Sequence, residues 1–359
     1  MVFKYKKVNL KILYILLILL SLNIFFFSTI KVKAESFKID NIEISKPFEM
    51  GFNKNMVINN GFKKAFSKLV SLILNSTDQK RVGQIKLNEI KGMIESFSIK
   101  EEKFINETYF VNLGVSFNKK KIFNYLEKKN IFPSTPIRKK FLFIPIIIDE
   151  NKKDLLVFSQ NEIYENWLKF DEDYHLIDYI LLTEDLEDLN LLKNKYEIIE
   201  QYNFKEITNK YSLNDSIVAL IFKNDEGARI LSRITINDNV ILKNQTFSNT
   251  EVKNENEIEK IIKTLKTIYE DYWKNFNQIN TSLKLILNIK LSNSDNTIIS
   301  NFEKILKEID LIYNFFIVKF DKDFTYYQIT FNGTPKNFLK FMSDKNYNFN
   351  TQNKIWELK

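Results

Sequence analysis

The segment that most constrains this chain is its first. Residues 1–34 hold six lysines, no acid, and an apolar run over 12–27 broken only by Ser21 and Asn23. A cationic start, an apolar stretch and then small residues at Val32 and Ala34 follow the order of a secretory signal peptide, with cleavage expected after Ala34. The run is also close to the ~20 residues that cross a bilayer, so an uncleaved membrane anchor is the alternative. In both cases the lysines before the run, Lys4, Lys6, Lys7 and Lys11, stay cytoplasmic and the body is translocated. The cleaved protein is expected to be periplasmic or secreted; the uncleaved one, anchored in the inner membrane and facing the periplasm. The N-terminal residue of the mature protein separates the two.

A body that folds outside the cytoplasm is normally free to use disulfides, but this one has no cysteine. That removes disulfides, a lipid-bearing cysteine, thiol catalysis, zinc–thiolate sites and iron–sulfur clusters together. The N-terminal segment also accounts for most of the charge. Six of the 53 basic residues and none of the 45 acidic ones lie within it, which takes a net +8 down to +2 for the remainder. A basic binding face for nucleic acid is therefore not expected. The seven glycines are unclustered, so neither a phosphate-cradling loop nor a dinucleotide fingerprint exists and no cofactor is expected.

Hydrophobic periodicity predicts an α+β, multi-domain chain. Residues 35–130 read as a small α+β domain: a strand, a helix with Phe62, Ala65, Phe66, Leu69 and Val70 on one stripe, a weaker second helix, a hairpin turning at Asn106-Glu107, and a short basic helix. Pro133 and Pro136 mark a linker over 131–140. Residues 141–280 read as a mixed α/β domain. The continuous apolar run 141–148 suits a strand buried on both faces, and 216–222, 228–236 and 240–247 suggest an antiparallel meander. A long amphipathic helix over 255–273 closes this domain, with Ile258, Ile261, Ile262, Leu265 and Tyr269 on one face and Lys and Glu expected on the other. Residues 281–359 follow the order β-α-β-β-α-β, which predicts a ferredoxin-like domain; Thr334 and Pro335 open its second helix.

The candidates for chemistry are few. His175 is the only histidine and stands beside Asp171, Glu172 and Asp173, a possible acidic metal corner that reads more simply as a solvated loop. The run Glu184-Asp185-Leu186-Glu187-Asp188 offers paired carboxylates, yet acids in a first helical turn favour the helix dipole. The basic runs Lys119-Lys120-Lys121 and Arg138-Lys139-Lys140 can touch anionic headgroups or simply face water. Trp167, Trp273 and Trp356 can line an aromatic surface or, as strand alternation favours, lie in cores. No residue is assigned a catalytic, cofactor-binding or metal-binding role.

Some segments follow one another in a familiar order: the strand near the start, the helix around Gly61-Phe62-Lys63-Lys64-Ala65-Phe66, the hairpin strand 109–117, and Leu182-Thr183-Glu184-Asp185-Leu186-Glu187-Asp188. In this the chain resembles a family of uncharacterised bacterial exported proteins known only as a domain of unknown function. The chain is poorer in Ala, Gly and Arg than that family, which an AT-rich genome explains. The resemblance implies export and no particular activity. The expectation is a non-enzymatic binding or scaffold protein of the bacterial envelope, whose partner is an envelope protein or a cell-wall component. The alternative is a periplasmic hydrolase working through middle-domain carboxylates, Asp171, Asp185 or Asp188.

Overall fold

The computed structural model describes residues 37–172, 174–248, 254–309 and 311–359, so the expected signal segment and Asp173 lie outside the described residues. In chain order come β1 (Lys38–Pro47), α1 (Lys54–Ile73), α2 (Ser76–Val82), α3 (Leu87–Met93), β2 (Ile94–Ile105), β3 (Thr108–Phe117) and α4 (Lys119–Lys128). The middle third supplies β4 (Lys139–Asp149), β5 (Asp154–Leu156), α5 (Glu162–Asn166), β6 (Ile177–Leu181), α6 (Leu186–Asn194), α7 (Lys205–Lys210), β7 (Ser216–Asn224), β8 (Gly227–Ile236), β9 (Asn239–Ser248) and α8 (Glu255–Phe276). The last third is β10 (Leu285–Ser292), α9 (Asn296–Glu308), β11 (Ile312–Phe320), β12 (Phe324–Phe331), α10 (Pro335–Ser343), β13 (Phe349–Asn350) and β14 (Trp356–Leu358). The fold is mixed α+β with three sheets, ordered β1-β3-β2, β11-β12-β10-β14-β13, and β5-β4-β7-β8-β9 with β6 also on β4.

In the first sheet, β2 and β3 turn on Asn106 and Glu107, both with positive φ (47° and 59°), the two-residue geometry whose twist matches a hairpin. The helix α1 lies across the sheet with its Phe62, Ala65, Phe66, Leu69 and Val70 stripe buried. Gly61 sets how closely it can lie, because a Cβ there would collide with the buried Leu113 Cδ1 of β3. Gly61→Ala gains about 1 kcal/mol of helix propensity but is expected to lose more by overpacking, about 1–3 kcal/mol. A lowered urea midpoint is the expected readout; a raised one would show that Leu113 swings aside at little cost.

The central sheet explains the apolar run at 141–148. The strand β4 pairs in parallel with β7 along one edge, from Leu142↔Ser216 to Asp149↔Lys223. Its alternate residues feed two cores. Phe141, Phe143 and Ile147 face α8, whereas Leu142, Ile144, Ile146 and Ile148 face Leu192 of α6 and Ile207 of α7. The other edge of β4 carries β6 at residues 139–143 and β5 at 147–149. Pro145 falls in the gap between them, where its missing N–H breaks no ladder. The buried Asn161 fills that gap, donating from Nδ2 to Pro145 O at 3.1 Å while its Oδ1 caps α5 through the N–H groups of Ile163 and Tyr164.

The third sheet has the ferredoxin-like arrangement for its first three strands, β10 lying between β12 and the last strand. Its end differs from the expected single strand. The chain lays down β13, turns, and returns as β14, which inserts between β13 and β10 and runs parallel to β10. The segment 131–138 also differs from a free linker. Ser134 donates twice to Ile73 O, Ile279 N donates to Pro133 O, and Thr135 N donates to Asn277 O, so the segment is stitched to the ends of α1 and α8. One core then runs from the first sheet into the third, joining Phe37, Leu69, Val115 and Phe123 with Leu287, Phe302, Tyr327 and Phe338. Across this seam Lys119 Nζ donates to Ile309 O, and Tyr313 Oη donates to Asn124 Oδ1.

Candidate functional site

A cleft of about 620 Å³ opens between α1, α2 and α8, with Tyr174 and His175 closing one side. Glu270 and Lys274 of α8 line it, the last two members of a row of charge whose first, Lys266, lies outside the cleft. Lys266, Glu270 and Lys274 recur every fourth residue and are only 1–4% exposed. This corrects the expectation that the Lys and Glu residues of this helix all face water. The row lies next to the apolar stripe, at the positions following Leu265, Tyr269 and Trp273, and so is carried into the protein with it.

Each charge in the row has a distinct environment. Lys266 is ion-paired with Asp171 and sits 5.2 Å and 5.3 Å from the ring centres of Trp167 and Tyr179. Glu270 accepts the backbone N–H groups of Leu176 and Ile177 on Oε1, at 2.8 and 2.9 Å. Its Oε2 has no hydrogen-bond partner and stands 3.8 Å from Lys274 Nζ, too far for a hydrogen bond. Lys274 instead donates to Ser71 O at 2.7 Å, at the end of α1. Burial pushes the Glu270 carboxyl above its ordinary range and the Lys274 ammonium below its own, so both are drawn toward the neutral form. Next along the helix, Asp271 accepts from Ser76 N and Oγ, holding the start of α2.

His175 accepts the Glu172 N–H on Nδ1 at 3.2 Å, which assigns the proton of the neutral ring to Nε2. Burial, then the positive Lys266, push its pKa down to about 4, against the opposing pull of Asp171. As the only histidine it gives one set of imidazole signals. An NMR titration is expected to find them moving with a midpoint of about 4. A midpoint at or above the ordinary 6.5 would place the ring in free water.

The other sequence candidates have structural employment. Asp171 is on the α8 side of the central sheet. Asp185 and Asp188 are on the opposite side, where both pair with Lys210, Asp188 at 2.6 Å. The three carboxylates therefore do not meet in one cleft. Asp185 caps α6 by accepting the Glu187 N–H at 2.8 Å, and that bond holds its carboxyl below the ordinary range. Among the described residues no group of three or more acids and histidine is placed to hold a metal ion. Lys120 and Lys121 donate to Asn314 Oδ1 and Gly92 O, and Arg138 and Lys139 pair with Asp178 and Asp215. Trp167 and Trp273 are buried, Trp273 donating from Nε1 to Ile137 O, and Trp356 is half-buried against Phe338 and Phe349.

The sheet edges form a second class of candidate. The edge strand β2 carries Lys100, Glu101, Glu102 and Lys103 and a bulge between Ile99 and Glu101, both devices that discourage an added strand. The edge strand β11 also has register shifts, between Ile312 and Asn314 and between Ile317 and Lys319, and carries Lys319, but its run Phe315, Phe316, Ile317 and Val318 holds no charge. Phe316, Ile317, Val318 and Phe320 are 44–70% exposed. Sequence reasoning missed this edge because the strand reads as core until its place in the sheet is known.

Among the described residues no helix is long and apolar enough to cross a membrane. No known family model matches the chain, and no curated protein matches it.

Proposed function

We propose that the chain is a non-enzymatic binding protein of the bacterial envelope, which engages a protein partner through the β11 edge. The observation that carries this reading is the uncharged, exposed apolar run on β11, on a strand with one side unpaired. An edge of this kind recruits an extended segment of another chain by adding a strand: the main chain supplies the hydrogen bonds and the alternate side chains the specificity. Apolar patches of this sort on a protein surface mark interaction sites. The signal-like segment 1–34 supports placing the encounter on the outer side of the cytoplasmic membrane, in solution after cleavage or tethered without it.

The test is site-specific photo-crosslinking in intact cells. A photoreactive residue at Val318 is expected to give one adduct of defined mass with a protein of the envelope fraction. The same residue at Lys103 on the charged edge is expected to give none. Phe316→Asp with Ile317→Lys should abolish the adduct without lowering the melting temperature. Loss of labelling specificity between the two edges, or an adduct only with a second copy of the chain, would overturn the reading.

A further inference from the structure

The geometry points to the end of the first sheet, where β1 passes into α1, as a wedge that inserts into the interface of a lipid bilayer by apolar contact rather than by charge. This surface lies on the first sheet and does not depend on the β11 edge. Turns and loop tips are ordinarily built from small and polar residues. This tip carries Phe48, Met50, Phe104 and Ile105, which are 53%, 107%, 56% and 47% exposed. They come from two places in the chain, the loop 48–53 and the last two residues of β2. The first sheet brings them together, Phe48 N donating at 2.7 Å to Glu107 O in the β2–β3 turn. The Phe48 ring then meets the Phe104 ring edge-on at 5.0 Å and lies 4.7 Å from that of Phe52. An exposed apolar patch of this kind marks an interaction site.

Shape and charge select the occupant. Met50 projects fully from the surface, and a closed turn holds it there. Phe52 N donates to Glu49 O at 2.9 Å, and Gly51 has φ of +91°, the conformation that glycine supplies at the third position of such a turn. Just beyond, Asn53 Oδ1 accepts the N–H groups of Asn55 and Met56 at the start of α1. A convex apolar tip offers no socket to a peptide. A bilayer needs none, because its interface takes up apolar side chains to a depth of about 5–10 Å. Backbone groups already bonded within the turn lower the cost of carrying it there. The nearby charges choose the kind of surface. Lys54 and Lys103 are paired with Glu102 and Glu101, at 2.6 and 3.1 Å, while Glu49 and Glu107 stand exposed. An anionic surface is therefore disfavoured, and zwitterionic headgroups suit the tip. The signal-like segment 1–34 supports an encounter with a membrane.

The chain has no cysteine, so Met50→Cys gives the full chain a single attachment point for an environment-sensitive fluorophore. Lys322→Cys, at an exposed position between β11 and β12, gives a reference chain. With phosphatidylcholine vesicles the label at 50 is expected to shift to the blue and to lose its quenching by aqueous iodide. The label at 322 should keep both properties, so attachment of the chain through residues 1–34 does not by itself produce the result. Ile105→Asp added to the chain labelled at 50 should weaken the response about tenfold, the size of one apolar side chain, with an unchanged melting temperature. Replacing part of the lipid by phosphatidylglycerol should weaken it too. The inference fails if iodide reaches the label at 50 equally with and without vesicles, or if the two labels respond alike. It fails if Ile105→Asp leaves the response intact, or if the response grows with phosphatidylglycerol, which would mark attraction by charge. Shielding of the label at 50 by lipid-free envelope proteins would mark a protein contact and overturn it as well.

Discussion

Replacing Trp167 with alanine is expected to cost the fold about 3–5 kcal/mol, the upper range for truncating a core side chain. The expectation rests on how completely the indole is enclosed. It is fully buried, stacked on Phe143 at 3.9 Å and 26°, and met edge-on by Tyr179 at 5.1 Å. The loss is not only of area. Lys266 is brought into the interior against that ring and the ring of Tyr179, and removing the larger ring leaves an ammonium beside a void. Such a cavity collapses poorly when its walls belong to a sheet and two helical segments that are each anchored elsewhere. Urea unfolding measures the effect, as a lower midpoint with an unchanged slope. A loss below about 1 kcal/mol would be too small for a packed core site and would show that the ring is not enclosed as described.

Lys274→Met is expected to destabilise by a similar amount at neutral pH, about 3–5 kcal/mol, because it strands Glu270 as a buried charge. The pH dependence gives the prediction its particular signature. Burial raises the Glu270 carboxyl, and Lys274 is the strongest influence holding it down. Removing Lys274 therefore raises it further. A carboxyl with a higher pKa in the folded than in the unfolded chain favours the fold at low pH, and that contribution disappears as pH rises through the folded value. The deficit of Lys274→Met should accordingly be least near about pH 3, below the unfolded carboxylate range, and greatest near about pH 8. Adding Glu270→Leu should restore most of the stability, since apolar pairs replace buried ion pairs at little cost. A deficit independent of pH, or a double variant no better than the single one, would mean that Lys274 acts only through its bond to Ser71 O.

Much of the architecture was legible from periodicity alone. The run 141–148 was readable as a strand buried on both faces because residues pointing either way are apolar, and the structure shows a core on each side. The strict alternation of Leu285, Leu287, Ile289 and Leu291 announced β10, and Asn106-Glu107 marked a turn. What periodicity does not carry is the identity of chain-distant partners. Lys266, Glu270 and Lys274 look like solvated residues until Asp171, the start of β6 and the end of α1 are known to receive them. The one hint is their four-residue spacing with alternating sign beside an apolar row. Likewise β14 inserts next to β10 because of a turn at 351–355 with no periodic pattern, and the exposure of Phe316 depends on sheet order rather than on its neighbours in sequence.

The core that runs from the first sheet into the third also sets an order on biosynthesis. Residues 37–131 are made well before residues 279–349, which complete part of their apolar surface. Contacts of such sequence separation form late, so the leading third must pass the time with its seam open, a state prone to wrong association. Two segments separated by the whole middle sheet in sequence thus close on each other, and a nascent form held at 280 residues would be missing one wall of the core over 37–131.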